Sequence, residues 1–308
     1  MQLITEAQVA SVLTFSGARQ ALREAFTQFG RGQGAVLARG RAGASAADGA
    51  ALMVSAMGAV LPQMGVLGTK VYSTRNGQFQ FLIQLFSSET GLPLACIEAN
   101  ELTRLRTAAT TAVAVEALAR PEAQVLAIFG AGTQARAHAE AVLPLRSFQR
   151  VLVCARSGAS EFAAELAETH GLSAVAVDAA SAAAQADVIL TCTRASEPLF
   201  DGKLVRPGAF VAAVGSSKPA ARELDDALLA RAALIAVEWK PAATAEAGEF
   251  CRAAPGVIAA ERVAELGNLL AEAPRAIPAE AIVVYKSVGI GLEDIAIAHQ
   301  VYQALQTA

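Results

Sequence analysis

Charge is scarce in this chain of 308 residues: charged side chains make up 17% of it, and 25 basic residues against 28 acids give a formal net charge of −3. No basic field is available to hold nucleic acid or an anionic membrane, so neither is an expected partner. Cysteine is sparse as well. Cys96, Cys154, Cys192 and Cys251 lie far apart, with no CxxC pair and no histidine pair nearby, which excludes a zinc site or a disulfide framework and fits a reduced, cytoplasmic compartment. Histidine occurs at 138, 170 and 299 only, within or at the ends of helical segments, and each reads as a surface or packing residue rather than a catalyst. The N-terminus has no basic region before an apolar stretch and carries Glu6 early, so no signal peptide is expected. One uncharged span, Gly49 to Thr69, is long enough to cross a bilayer, but Pro62, Gln63 and glycines at 49, 58, 65 and 68 cut it into buried strands and turns.

What the chain has is apolar surface. Hydrophobic residues make up 54% of it, enough at this length for two domains, and part of the excess is expected at a subunit interface. Thr5 with Gln8 forms a capping-box signature, and Ala18, Leu22, Ala25, Phe26 and Phe29 recur at helical spacing. From 51 to 98 the runs "LMVSAMGAV", "LGTKVYS", "FQFLIQLFSS" and "PLACIEA" read as strands of a mixed or antiparallel sheet, with turns at "RNGQ" and "ETG". Thr103 to Ala119 reads as one long alanine-rich helix. After Pro121 the rhythm changes: "QVLAIFG", "RVLVCARS", "SAVAVD", "ADVILTCT", "AFVAAVG" and "ALIAVE" alternate with helical stretches, the pattern of a doubly wound parallel sheet.

The first of those runs continues into "GAGTQARAHAEAV", a GxGxxA motif between a strand and a helix. Gly130 allows the tight turn, Gly132 lets the main chain approach a pyrophosphate, and Ala135 permits close helix packing. The helix start at Thr133 and Gln134 offers free amides and partial positive charge. An NAD site usually carries an acid at the end of the second strand. Here that strand ends in Ala155, Arg156 and Ser157, a pair suited to a 2′-phosphate, so NADP is expected, with NAD as the alternative. Thr191, at the end of the fourth run, is a small polar residue able to line the cofactor.

"ELTRLRTAATTAVAV" together with "GTKVY", "FGAGTQA", "AVGSSKPAARELDDALL" and "VVYKSVGIGLED" resembles the ornithine cyclodeaminase and mu-crystallin family, in the right order over nearly the whole chain. The resemblance implies an α/β fold: a Rossmann-type doubly wound sheet (119–281) inserted in a discontinuous α+β substrate-binding and dimerisation domain (1–118 and 282–308). It also implies a homodimer acting on an imino or amino acid. By position, Lys70 of "GTK" takes part in catalysis, Arg106 and Thr107 of "LRTAA" hold the substrate, and a further arginine corresponds best to Arg39, with Arg41 as its rival. Val214, opening "VGSSKP", and Ser287 and Val288 of "KSVG" fall on the cofactor side. Chemistry agrees with these roles: a guanidinium anchors a carboxylate with two-pronged geometry, and an ammonium near the reacting nitrogen can relay a proton. A reduced nicotinamide and an arginine-clamped carboxylate are thus expected to face each other across the cleft between two domains. Asp294 either supports this site or favours the first turn of a helix, and the sequence leaves both open.

One departure from the family pattern carries chemical meaning. In the cyclodeaminases an aspartate stands two residues before the proline of "VGSSKP", and here that place is Ser217. Serine is a poor base at neutral pH, whereas reduction of a preformed imine needs only hydride, one proton and an anchored carboxylate. The expectation is therefore an NAD(P)H-dependent imine reductase or amino-acid dehydrogenase. Ornithine cyclodeaminase is the enzymatic alternative, and a non-catalytic, crystallin-like binder of NADPH or a small ligand is the alternative of a different class.

Overall fold

Six strands build the first sheet of the computed structural model, which describes residues 1–273 and 276–307. They are β1 (Gln2–Ile4), β2 (Ala35–Ser45), β3 (Ala51–Leu61), β4 (Val66–Arg75), β5 (Gln78–Ser87) and β6 (Pro93–Glu98), in the order β1-β6-β5-β4-β3-β2. All neighbours pair antiparallel except β1, which runs parallel to β6, so the sheet is mixed. The span scrutinised for membrane crossing lies mostly in β3 and β4, and no described helix is long and apolar enough to cross a membrane. The "RNGQ" turn is a two-residue hairpin in which Asn76 and Gly77 both take positive φ (49° and 79°), the backbone that matches strand twist.

The capping box forms as expected: Thr5 accepts from the Gln8 amide, and the Gln8 side chain accepts from the Thr5 amide, opening the helix Glu6–Val12. Glu6 then caps a second helix. Its two oxygens accept from the amides of Asn100 (2.7 Å) and Glu101 (2.9 Å), so the long helix starts at Asn100, earlier than its alanine-rich composition indicated, and runs to Leu118. The last helix, Gly291–Thr307, packs on β2 to β5 and against the helix Phe15–Gly30. It approaches β3 so closely that a Cβ on Gly291 would lie 2.2 Å from the Gly58 carbonyl oxygen.

Eight parallel strands form the second sheet: β7 (Val125–Phe129), β8 (Arg150–Cys154), β9 (Ser173–Ala176), β10 (Val188–Thr191), β11 (Phe210–Ala213), β12 (Ala232–Val237), β13 (Val263–Glu265) and β14 (Ile282–Lys286). Their order, β13-β12-β14-β11-β10-β7-β8-β9, reverses direction between β7 and β10, the switch point of a doubly wound sheet. The strands read from alternation are all present. The last, β14, is wedged between β11 and β12. The chain accordingly divides into Met1–Thr110 with the segment from Gly289 onward, and Thr111–Val288, so that 282–288 lie in the second unit rather than with the terminal helix.

His138 is fully buried in the helix Thr133–Val142, its Nε2 3.0 Å from Thr111 Oγ1 and its Nδ1 2.7 Å from the Gln134 carbonyl. It is the packing residue the sequence suggested. Burial pulls its pKa down from 6.5 to about 4. Between those values the unfolded chain takes up a proton that the folded chain refuses, so this residue makes stability fall as pH drops from about 6.5 toward about 4. His138→Gln is expected to flatten that part of the thermal-melt profile, and an unaltered acid limb would remove His138 from the account.

Candidate active site

The first cluster of functional side chains lies in the first unit. Strand alternation puts Val66, Gly68, Lys70 and Tyr72 on the buried face of β4, a strand interior to the sheet, with Met57 and Ile83 as the register partners of Lys70. Lys70 is 1% exposed. Its Nζ donates to Asp294 Oδ1 at 2.9 Å and to Thr103 Oγ1 at 2.7 Å, and stands 4.3 Å from the centre of the Phe81 ring. An ammonium here would be prohibitive without a counter-charge, and Asp294, fully buried, supplies it. Desolvation lowers the Lys70 pKa from 10.5 to about 8; Asp294 opposes that shift, while Arg106 and Arg39 reinforce it.

Arg106 sits in the second turn of the helix Asn100–Leu118 and is buried, not a surface arginine. Its Nη1 donates to Glu293 Oε2, and its Nε lies 3.0 Å from Asp294 Oδ1. Glu293 also accepts from the Ile290 amide at 3.1 Å, the reciprocal half of a capping box at the start of the terminal helix. Gly289, at φ 74°, is held there by geometry: a Cβ would press within 3.0 Å of the Arg106 guanidinium. Thr107, one residue on, is half-buried, and its hydroxyl donates back to the Thr103 carbonyl at 2.7 Å.

Arg39 joins the same cluster through a β-bulge. Leu37 pairs with Gly58 and Gly40 with Ala56, so β2 carries one residue more than β3 across that interval. In a regular ladder residue 39 would oppose Ala56 and point to the other face. The extra residue turns its guanidinium toward Met57 Sδ (3.2 Å) and the Gly289 carbonyl (2.7 Å). Arg41, its rival, is exposed. Three cations and two carboxylates, Glu293 and Asp294, leave one net positive charge. Asp294 thus supports the site, and Glu293 is a member that sequence reasoning missed, although its neighbour in "GLED" was in view.

The second cluster gathers at the C-terminal ends of the parallel strands in the second unit. Gly130, after β7, takes φ 117°, and a Cβ there would meet the Cys192 carbonyl oxygen at 2.7 Å. Gly132 caps the helix Thr133–Val142 with no side-chain hydrogen bond, and open space surrounds the place a Cβ would occupy. Ala135 is fully buried. Bare backbone, uncapped helix amides and a small packing residue together fit a pyrophosphate. Arg156 and Ser157 are exposed after β8, and Gly158 brings their loop beside Ala131.

Thr191, Val214, Ser287 and Val288 follow or end β10, β11 and β14, but their polar groups are already engaged. The Thr191 hydroxyl donates to Glu223 (2.7 Å), and the same carboxylate accepts from the amides of Thr193 and Gly215 and from the Thr193 hydroxyl. Val214 is half-buried and donates its amide to the Thr191 carbonyl. The Ser287 hydroxyl and the Val288 amide donate to Glu238 at 2.5 and 3.0 Å. A third buried acid, Glu249, accepts the Glu223 amide and lies 3.2 Å from Lys286. These glutamates fix the strand-end loops. "REL" and the closing residue of "ALIAVE" contained two of them, with no periodicity to set them apart.

A doubly wound sheet with a glycine turn at its switch point, in a chain whose other unit carries a buried lysine–arginine cluster, defines a dinucleotide-binding α/β protein. The model of the ornithine cyclodeaminase/mu-crystallin family matches residues 1–308, and the chain belongs to that family. It is 37% identical over 250 residues to a Delta(1)-pyrroline-2-carboxylate reductase of Bacillus cereus, covering 79% of this chain and 74% of that protein. A solved structure described as a probable ornithine cyclodeaminase from Bordetella pertussis Tohama I is 43% identical, with a TM-score of 0.93 over 100% of this chain and 97% of that one. The Delta(1)-pyrroline-2-carboxylate reductase of Thermococcus litoralis, solved with NADH and L-proline, is 27% identical, with a TM-score of 0.88 over 100% of this chain and 98% of its own.

Proposed function

We propose that this chain is an NADPH-preferring reductase of a small imino acid. The observation that carries this reading is the pair of buried cations Lys70 and Arg106 on Asp294, with the half-buried Arg39 on the Gly289 carbonyl beside them, a cluster whose net single positive charge suits one substrate carboxylate. Arg106 and Arg39 hold that carboxylate, Thr107 lies on the same helix to contact the substrate, and Lys70 gives the imine nitrogen its proton. Gly130, Gly132, Thr133, Gln134 and Ala135 hold the dinucleotide pyrophosphate, Arg156 and Ser157 the 2′-phosphate, and Thr191, Val214, Ser287 and Val288 shape the nicotinamide side. When bound, the dinucleotide supplies the hydride.

The substrate class follows from likeness to the two Delta(1)-pyrroline-2-carboxylate reductases: a cyclic or small acyclic imino monocarboxylate. NADPH oxidation with such imino acids, or with pyruvate plus ammonia, is the expected result. Release of proline and ammonia from ornithine with catalytic NAD would instead establish the cyclodeaminase reading, which the Bordetella pertussis structure's description favours and Ser217 disfavours. Tight cofactor binding without either activity would establish a binding protein.

Arg156→Ala tests the cofactor preference. Loss of a charge-assisted contact to the 2′-phosphate is expected to weaken NADPH by roughly 10- to 100-fold and NADH by much less, read as Kd from nicotinamide fluorescence. Equal weakening of both would assign the ribose pocket elsewhere. A homodimer is supported by the face of the first sheet on which Val54, Val60 and Leu82 stand exposed, and light scattering after gel filtration reads it. Four unpaired cysteines support a cytoplasmic setting.

A further inference from the structure

Asp294 is buried more completely than a helix-end acid needs to be. A carboxylate placed in a first turn for the helix dipole contributes about 0.3–1 kcal/mol and does so from the surface. Taking it out of water costs several kcal/mol, which only strong partners offset. Asp294 has them on one oxygen: Oδ1 accepts from Lys70 Nζ at 2.9 Å and lies 3.0 Å from Arg106 Nε. Its Oδ2 is buried with no hydrogen-bond partner among the described residues.

The groups around Lys70 come from every element packed against it. β2 brings Arg39, β5 brings Phe81, the long helix brings Thr103 and Arg106, and the terminal helix brings Asp294, with Glu293 on the far side of Arg106. Thr103 is neutral, and its own hydrogen goes to the Ala99 carbonyl at 2.6 Å. Glu293 is engaged by Arg106 and the Ile290 amide. Asp294 is therefore the charged acceptor of the lysine.

We propose that Asp294 is the positioning residue of proton transfer, holding Lys70 as an oriented ammonium and linking it to the carboxylate anchor Arg106 through a single oxygen. This rests on Lys70 being the proton donor of the reduction proposed above. In that step the imine carbon would gain the hydride that a bound reduced dinucleotide supplies, and the electron pair of the C=N π bond would take a proton from Lys70. The neutral amine left behind stays hydrogen-bonded to Asp294 and regains its proton from water. Ser217 in the loop after β11 then needs no carboxylate, because the acid that supports proton transfer is carried by the terminal helix.

The test reads the lysine itself. In protein labelled with 13C-lysine, with the Lys70 resonance assigned through Lys70→Arg, the signal is expected to inflect near pH 8. In Asp294→Asn it is expected to inflect about one pH unit lower or more, the size of shift that losing a contacting opposite charge produces, and Asp294→Glu should restore it. An unmoved midpoint in Asp294→Asn overturns the proposal. Should that variant not fold, the carboxyl carbon of Asp294 in 13C-aspartate-labelled wild-type protein, assigned through Asp294→Glu, must inflect at the Lys70 midpoint, and a flat trace there also overturns it. Neither reading requires turnover. Coupling present without imine reduction would overturn the assigned function, whereas coupling absent overturns the role of Asp294.

Discussion

Arg106→Met is expected to lower kcat/KM for the imino acid by about 30- to 5000-fold, which corresponds to the loss of roughly 2–5 kcal/mol when one partner of a buried, hydrogen-bonded charge pair is truncated. The loss should fall mainly on KM, because a guanidinium in the proposed anchoring role grips the carboxylate in ground state and transition state alike. NADPH affinity is the control, since the glycine loop proposed to hold the pyrophosphate belongs to the other unit. The substitution also removes the guanidinium that contacts both Glu293 and Asp294, so the melting temperature is expected to fall with it. Arg106→Lys keeps the charge and should recover stability more fully than it recovers KM, because a point charge does not reproduce the two-pronged grip. Kinetics unchanged in Arg106→Met would end its role as anchor.

Lys70→Met is expected to act on kcat instead, by about 100- to 10,000-fold, the usual range for a positioned general acid. The wild-type profile should show why. Imine reduction requires the ammonium, which prevails below about pH 8, so kcat is expected to fall as pH rises through that value, while the reverse oxidation, needing the free amine, rises. Stability moves in the opposite sense. With its folded pKa depressed from 10.5 to about 8, Lys70 is neutral in the folded chain and charged in the unfolded one between those values, and its contribution to stability rises with pH across that window. A fall in reductive rate there cannot be ascribed to unfolding driven by this residue. A profile flat from pH 7 to 9.5, or a Lys70→Met variant with unaltered kcat, would assign the proton to another donor.

Much of this site could be read from the chain before any coordinates. Gly130 announces a tight turn because a Cβ there would meet the Cys192 carbonyl oxygen at 2.7 Å, and β7 to β12 announce themselves by apolar runs of the right length. The "RNGQ" hairpin is legible for the same kind of reason, since few residues accept positive φ twice in succession. Other features depend on contacts distant in sequence, and no local pattern encodes those. β14 inserts between β11 and β12 although it begins only at Ile282 and β12 ends at Val237, so the second unit extends past the boundary that the order of motifs implied. β2 is mostly small and exposed and lacks alternation. Glu6 caps a helix 94 residues away. Glu223, Glu238 and Glu249 resemble solvated acids in the sequence, and their burial follows from loops that meet only once the sheet has closed.

The bulge in β2 has a consequence for how this enzyme could be broken. Excising Gly40 alone, with every proposed functional side chain retained, would straighten the edge ladder, set Arg39 opposite Ala56 and carry its guanidinium round to the opposite side of the sheet. A one-codon deletion would then disarm substrate capture as a substitution does, because at this strand the number of residues is itself an instruction.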